Sequence, residues 1–313
     1  MKNQKNFSIF FFGSSDFSLY ALKSFLENLG NKDLKITIVT LPPQKAGRGL
    51  KESEPKIKKF AEKLKLNVLQ PESLDKKFGQ LIKKNADIIL VASYGKILPD
   101  YIYNGPKFGS LNIHPSLLPK YRGPSPIQYT ILAGEKKTGV TIAKITEKID
   151  AGDILVQEKV NIEPNDNFKT LEEKLAQVGG KLAANIIPLF IENKISPLPQ
   201  NELKATYTYK IKKEDGFLDF KKPALYLERM IRAFYPWPGC FTYFENKILK
   251  IIEAQIFDIN SGEKPGKLFI FQNKPAFQTT AGILVCNKLQ IEGKKIISGE
   301  DFVRGYLKKK INQ

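Results

Sequence analysis

The sequence predicts two structured regions, an α/β domain around a mostly parallel sheet and a small β-barrel that follows it. In the first part of the 313-residue chain, short apolar β-rich runs alternate with amphipathic stretches. In the last part, several short alternating segments are separated by turn signals instead. Between the two patterns lies a stretch with two prolines and no helical periodicity. We therefore divide the chain into a first domain at 1–193, a linker at 194–207 and a second domain at 208–313.

The first domain begins with a predicted strand, Ser8–Gly13, whose apolar run is too short for an export signal. A helix over Phe17–Gly30 follows, and Gly30 closes it. The same patterns predict strands at Lys35–Leu41, Asp87–Ser93, Gly109–His114 and Gly139–Ile145, a basic amphipathic helix at Pro55–Leu66, and a long helix at about 168–192. In the second domain they predict one short helix, Lys222–Phe234, followed by strands such as CFTYF, KILKIIEAQIF and GILVCNKLQI.

Composition excludes several classes of protein. Hydrophobic residues make up 42% and charged residues 26%, as in a soluble globular protein. No apolar run approaches the roughly 20 residues that span a bilayer, so we expect no membrane partner. Cys240 and Cys286 are far apart and form no metal-type pair, so a reducing cytoplasm is expected.

The chain is strongly basic, with a net charge of +18 and a pI near 9.6. Such an excess favours a polyanionic partner, nucleic acid above all. Most of it is Lys, scattered among many Ile, Asn and Phe, which a biased genome composition would also produce. Charge alone therefore leaves both explanations open.

His114 is the only histidine, and it ends a predicted strand, where parallel sheets place their functional residues. Asn112 lies two positions earlier, so both side chains point to the same face of the strand. Asp150 follows the strand Gly139–Ile145, and Gly152 allows a close backbone approach beside it. An amide that donates to an oxyanion, an imidazole that moves protons and a carboxylate that orients it make a plausible acyl-transfer site.

Other reactive motifs are missing from the sequence. It has no GxSxG elbow, no HExxH, no P-loop lysine motif and no second His for a metal site. GSSDF is a strand-to-helix turn, but its single Gly is poor support for a dinucleotide site. Ser116 lies in a rigid His-Pro-Ser-Leu-Leu-Pro run, where a binding or turn role is more plausible than a nucleophilic one.

These residues carry a family resemblance. Asn-x-His-Pro-Ser-Leu-Leu-Pro, followed by Thr-Gly-Val-Thr-Ile and Ile-Asp-x-Gly-Asp, resembles the formyltransferases that use 10-formyltetrahydrofolate. The resemblance is strongest with the branch that formylates methionyl-tRNA, and it extends over nearly the whole chain. The motifs that carry it are FFGSSDFS, KAGRG, YGKILP, YRGPSPIQ, TYTYKIKKEDGFLDF and RAFYPWPG. It implies a Rossmann-like catalytic domain with a C-terminal OB-like barrel, and a catalytic set without metal that comprises Asn112, His114 and Asp150.

The resemblance also implies the reaction. The formyl group of 10-formyltetrahydrofolate would pass to the α-amino group of initiator methionyl-tRNA for translation initiation, in the cytoplasm and by a monomer. The folate co-substrate would lie against the YGKIL backbone, the Asp150 loop and the SLLP segment, with contacts from Tyr94, Lys96, Ile97, Leu98, Ser116, Leu117, Leu118 and Pro119.

The tRNA would meet the KAGRG loop, the basic helix after it and the basic barrel. In the tRNA enzymes the matching loop enters the acceptor stem, so we assign tRNA binding to Lys45, Arg48 and Lys51. Before AGRG those enzymes commonly have Asp-Arg-Pro, whereas this chain has Pro43, Gln44 and Lys45. The neutral amide of Gln44 cannot replace the charged fork of the family's loop arginine, which puts the fine specificity for the initiator tRNA in question.

Three other functions share part of these features. A sugar-nucleotide formyltransferase would have the same fold, catalytic set and PWPG, but would need no basic entry loop. A formyl-folate hydrolase would have the same three residues and usually a regulatory domain. A non-enzymatic RNA-binding module would account for the charge and the barrel, but not for Asn112, His114 and Asp150 together.

Overall fold

Two large sheets organise the described part of the chain, one in each of two units, and a third sheet has only two short strands. The computed structural model describes residues 7–30, 34–46 and 51–307. The first unit consists of Met1–Pro126, Lys137–Ile162 and Glu172–Thr208, and the second of Ile127–Lys136, Glu163–Leu171 and Tyr209–Gln313.

The first two-thirds of the chain contain every helix and strand predicted there, together with seven shorter or less regular elements that the sequence pattern does not indicate. In chain order the helices and strands are β1 (Phe7–Phe12), α1 (Asp16–Asn28), β2 (Leu34–Val39), β3 (Gln44–Ala46), β4 (Lys51–Ser53), α2 (Lys56–Lys63), β5 (Asn67–Leu69), α3 (Lys76–Asn85), β6 (Ile88–Val91), α4 (Asp100–Tyr103), β7 (Ser110–His114), α5 (Pro126–Ala133), β8 (Lys137–Lys144), β9 (Ile154–Asn161) and α6 (Phe168–Ile191). The seven elements without a prediction are β3, β4, β5, α3, α4, α5 and β9.

The larger sheet has seven strands in the order β5-β2-β1-β6-β7-β8-β9. From β5 to β7 every pairing is parallel, whereas β8 and β9 are added antiparallel beside β7. The predicted α/β fold around a mostly parallel sheet is therefore confirmed. Because β7 runs parallel to its neighbour β6, His114 lies at the carboxyl end of the sheet, the edge at which such folds bind ligands.

Local sequence explains how this sheet begins. In β1, residues Ser8–Phe12 are all buried, and the apolar run forms the centre of the sheet. Ser15 caps α1 by accepting a hydrogen bond from the Ser18 backbone N–H, which satisfies one free donor of the first turn. After α1 the chain reverses at Gly30, whose φ of +64° costs a glycine little.

The second unit contains a six-stranded antiparallel sheet. Its later elements are α7 (Ala224–Ala233), β10 (Cys240–Phe244), β11 (Lys247–Phe257), β12 (Leu268–Phe271), β13 (Lys274–Gln278), β14 (Ile283–Ile291), β15 (Ile297–Ser298) and α8 (Gly299–Phe302). The strand order is β10-β11-β14-β13-β12, with β15 paired to β14. This confirms the predicted OB-like second domain after one short helix.

Both cysteines lie in the interior of the second sheet. Cys240 and Cys286 are free and buried in the second sheet, and burial raises the pKa of both thiols. Within the described ranges, no group of three or more His, Cys, Asp and Glu side chains could hold a metal ion. No described helix is both long and apolar enough to cross a membrane.

Candidate active site

Strand β7 places Asn112 and His114 on one face of the larger sheet. It lies between β6 and β8, where Asn112 is opposite Ala143 and His114 is opposite Thr141. Alternation along the strand turns both side chains the same way. His114 is only 3% exposed, whereas Asn112 is half-buried. The imidazole is thus shielded from bulk water beside a more accessible amide.

Asp150 reaches the same place from the loop between β8 and β9. Its φ is +54°, a left-handed conformation that is uncommon for residues other than glycine and that Asp tolerates better than most. A Cβ on Gly152 would lie 1.9 Å from the Lys144 carbonyl oxygen, so only glycine allows the loop to fold back on β8. The Gly123 N–H donates to Asp150 Oδ2 at 2.8 Å and fixes one carboxylate oxygen.

The other carboxylate oxygen joins the three predicted catalytic residues. Asn112 Nδ2 donates to Asp150 Oδ1 at 3.2 Å, and His114 Nδ1 lies 3.5 Å from the same oxygen. The three side chains, separated by up to 38 positions in sequence, therefore meet around a single atom.

The imidazole is held on its far side as well. His114 Nε2 donates to the Tyr121 carbonyl oxygen at 3.0 Å. One ring nitrogen thus faces a carbonyl and the other a carboxylate, and both are acceptors. Both ring nitrogens are therefore oriented by acceptor oxygens, which fixes the plane of the imidazole next to Asn112.

Next to Asn112 and Asp150 lies a cavity of about 640 Å³, within the ordinary size range of small-molecule sites. Its apolar wall comprises Val91, Ile97, Leu98, Leu118, Ala143, Ile145 and Ile149. Polar side chains line it at Lys96, Asp100, Tyr103, Asn104, Lys144, Thr146 and Glu147. The cavity therefore offers an apolar slot with a few polar groups, and two of the three catalytic candidates face it.

Four of the eight predicted folate-binding residues line this cavity, namely Lys96, Ile97, Leu98 and Leu118. Tyr94 lies in the core instead, 2% exposed, with its ring 5.1 Å from that of Phe12. Burial raises the pKa of the Tyr94 hydroxyl to about 12. The side chain of Tyr94 therefore packs in the hydrophobic core beneath the YGKIL segment.

The remaining three shape the turn after His114. Ser116 is fully buried, and its hydroxyl donates to the Lys120 carbonyl oxygen at 2.6 Å. Leu117 packs against Gly139 on β8, and Pro119 follows Leu118 through a cis peptide bond. The SLLP segment thus forms a tight turn that presents Leu118 to the cavity.

The predicted tRNA-binding loop is described only in part. Lys45 and Lys51 lie on β3 and β4, which pair antiparallel, whereas Arg48 lies outside the described residues. In the helix that follows, Lys56 Nζ binds Asp16 at 2.8 Å and Lys58 Nζ binds Glu54 at 2.7 Å. In the free protein the charges of these two lysines are therefore partly neutralised by Asp16 and Glu54.

Two side chains next to the site, Arg122 and Gln200, have no role in the sequence-based prediction. Arg122, 2% exposed, and Gln200 hydrogen-bond to each other across 78 positions, and Gln200 also contacts the Asp150 loop. Of the Asp150 loop, the 145–149 segment supplies much of the cavity wall, although the sequence pattern assigns no individual residue there. The YRGPSPIQ motif contains Arg122, but motif spacing alone does not identify its distant partner.

Comparison with known proteins decides the family. The model of the formyl transferase family matches residues 6–187, and that of the formyl transferase C-terminal domain matches residues 210–307. The chain belongs to the formyl transferase family. The resemblance carried by the Asn, His and Asp motifs is thereby confirmed.

Individual relatives of this formyl transferase cover almost its whole length. A methionyl-tRNA formyltransferase of Natranaerobius thermophilus is 38% identical over 95% of this chain and 96% of its own. That of Bacillus subtilis is 38% identical over 95% and 94%. Among solved structures, an N-formyltransferase of Helicobacter canadensis, in complex with folinic acid and dTDP-3-aminofucose, has a TM-score of 0.66 at 20% identity and covers 90% of this chain and 98% of that one. This last likeness supports the fold.

Proposed function

We infer that this formyl transferase transfers the formyl group of 10-formyltetrahydrofolate to the α-amino group of initiator methionyl-tRNA, for translation initiation. The observation that carries this function is the full-length similarity to methionyl-tRNA formyltransferases at 38% identity, which extends through the second domain. The sugar-modifying structural neighbours are only 20–21% identical. The sequence thus favours a tRNA acceptor over an amino-sugar nucleotide.

We propose that Asn112 stabilises the oxyanion that forms when the methionyl amine attacks the formyl carbon. Among the described residues its amide donates to Asp150 Oδ1, which leaves one N–H of the NH₂ group for the formyl oxygen. Because Asp150 fixes the amide, that N–H is oriented before the substrate binds. A donor aimed at an oxyanion in this way is worth roughly 10²–10³ in rate.

His114 and Asp150 act together on the proton. The attacking nitrogen must lose a proton, and N10 of the folate must gain one as its bond to the formyl carbon breaks. The imidazole takes the first proton, directly or through a water, and returns it to N10, while Asp150 supports the charged ring from 3.5 Å. We propose this relay because an imidazole is the usual proton-transfer group of enzymes, and His114, the one histidine of the sequence, lies beside Asn112 and Asp150.

The cavity beside Asn112 fits the folate co-substrate. A pterin ring needs an apolar slot with hydrogen-bonding groups at its edge, and Leu98, Leu118 and Ile145 provide the slot. Asn104 and the Asp150 loop provide polar groups. Lys96, at the rim, is placed to meet an anionic part of the co-substrate, with Ile97 beside it.

We propose that the tRNA phosphates are bound by Lys45, Arg48 and Lys51 together with the basic second domain. The support is charge: the whole chain carries +18, and Lys45 and Lys51 lie on two short antiparallel strands, β3 and β4. We further propose that the enzyme acts in the cytoplasm, where translation occurs, and as a monomer, since one chain supplies Asn112, His114 and Asp150.

This part of the proposal predicts a steep salt dependence. The KM for methionyl-tRNA should rise with salt. Lys45→Ala and Arg48→Ala should each raise this KM further. Each variant should also reduce the slope of log KM against log salt by about one for each phosphate contact that is lost. Steady-state formylation assays at four salt concentrations measure both values. As a matched control, Lys84→Ala removes an exposed lysine from α3 and should change neither the KM nor the slope of its salt dependence. An unchanged KM in both loop variants would rule out this role for the loop.

A further inference from the structure

The side chain of Gln200 bridges the Asp150 loop and a buried arginine. Its Nε2 donates to the Asp150 carbonyl oxygen at 2.9 Å and to the Gly152 carbonyl oxygen at 2.7 Å. Its Oε1 accepts from Arg122 Nη2 at 2.8 Å and Nε at 3.1 Å. The NH₂ group of Gln200 therefore faces only carbonyl oxygens, and its carbonyl oxygen faces only guanidinium N–H groups.

Arg122 is itself fixed, which makes the orientation of Gln200 unambiguous. Its guanidinium also donates to both carboxylate oxygens of Glu202, at 2.9 and 2.7 Å, and lies 6.0 Å from the ring centre of Tyr207. The hydrogen bonds to Glu202 raise the pKa of Arg122, so the group stays charged. Because a guanidinium only donates, Gln200 Oε1 must face it, and the NH₂ group must face the loop.

The Asp150 loop needs such a restraint. Asp150 has a left-handed φ, and its Oδ2 depends on the N–H of Gly123, the residue after Arg122. Arg122 therefore lies next to the donor that holds the carboxylate and binds the amide that holds the loop backbone. Loss of the amide would remove the two hydrogen bonds that Gln200 makes to the loop backbone.

We propose that Gln200 is a positioning residue for formyl transfer, which holds the Asp150 carboxylate within reach of Asn112 and His114. This rests on the function proposed above only for its kinetic readout. Gln200 touches no reacting atom; it acts through the loop.

The test is Gln200→Glu, a substitution of the same size. The new carboxylate still accepts from Arg122 but cannot donate to the Asp150 and Gly152 carbonyl oxygens, which it repels. We expect kcat to fall by roughly 10–100-fold, as for other residues that orient a catalytic group, with the KM for methionyl-tRNA changed less than two-fold. Gln80→Ala, an exposed glutamine on α3, is the control and should leave both values unchanged.

A second readout uses the fact that the chain has one histidine. In histidine-¹⁵N-labelled protein, every ring signal comes from His114. With the ring protonated, we expect two protected ring N–H signals, one from Nδ1 towards Asp150 and one from Nε2 towards the Tyr121 oxygen. In Gln200→Glu the Nδ1–H signal should shift or be lost to exchange, while the Nε2–H signal stays in place.

These readouts separate the possible outcomes. A changed Nδ1–H signal with a lowered kcat supports the proposal, and the same spectral change supports it even if methionyl-tRNA proves not to be the acceptor. A native spectrum overturns it, whatever happens to the rate. If Gln200→Glu does not fold, Gln200→Met removes the two donors without adding charge, and an unchanged Nδ1–H signal in that variant overturns the proposal equally.

Discussion

His114→Ala is expected to lower kcat by roughly 10²–10⁴, the ordinary contribution of a positioned acid–base group, and to leave folate binding nearly unchanged. The physical reason is that no other described side chain at Asp150 Oδ1 can take a proton from the amine and return it to N10. His114 does not line the folate cavity, so its loss leaves the apolar wall intact. Single-turnover formylation measures the rate, and equilibrium dialysis with a folate measures binding.

His114→Gln is the matched variant for packing. Its amide fills much of the imidazole volume and can donate to one of the two acceptors, but it does not exchange a proton near neutral pH. The kcat of His114→Gln should therefore be as low as that of His114→Ala, while its free energy of unfolding should be higher. Turnover preserved in either variant would overturn the assignment of proton transfer to this residue.

Asp150→Asn is expected to produce a loss of similar size, roughly 10²–10⁴ in kcat, by analogy with carboxylates that orient a catalytic imidazole. The substitution keeps the size of the side chain but removes the negative charge that lies 3.5 Å from His114 Nδ1 and would stabilise the positive charge that the ring gains during proton transfer. It also offers an NH₂ group to a place where Asn112 Nδ2 and the Gly123 N–H both donate, so one of these contacts must break.

Asp153→Asn provides the control in the same loop. Asp153 meets β8 through its backbone, where its carbonyl oxygen accepts from the Lys144 N–H at 2.9 Å. We expect its kcat to stay within two-fold of the wild type. Equal losses in Asp150→Asn and Asp153→Asn would mean that loop charge in general, rather than the carboxylate beside His114, controls the rate.

The pattern of the sequence predicts the fold well because its signals are local. Apolar runs of strand length mark β1, β2, β6 and β7, and each observed strand lies within two residues of its prediction. The predicted helix at 55–66 ends at Lys63 in the structure, and a short strand, β5, follows it. Three residues, NVL, are too few to show an alternation, so only pairing with β2 reveals this strand.

The site was predictable to the extent that its residues share a strand or a motif. Asn112 and His114 alternate on β7, and the family motif supplies Asp150. The hydrogen bonds that hold Asp150 in place come from Gly123 and Gln200, which are 27 and 50 positions away in the sequence. No periodic pattern in the sequence indicates partners at such distances. Tyr94 illustrates the opposite case, since its motif drew attention to it while its side chain fills the core against Phe12.

The most direct test of the account offers the enzyme four acceptors at once. Labelled 10-formyltetrahydrofolate is supplied with methionyl-tRNA, an amino-sugar nucleotide, glycinamide ribonucleotide and water, and the label is followed to each product. We expect it on methionyl-tRNA alone, at a rate that falls in His114→Ala. Label on the sugar nucleotide or the ribonucleotide, or released as formate, would contradict the central claim that this formyl transferase acts on initiator tRNA.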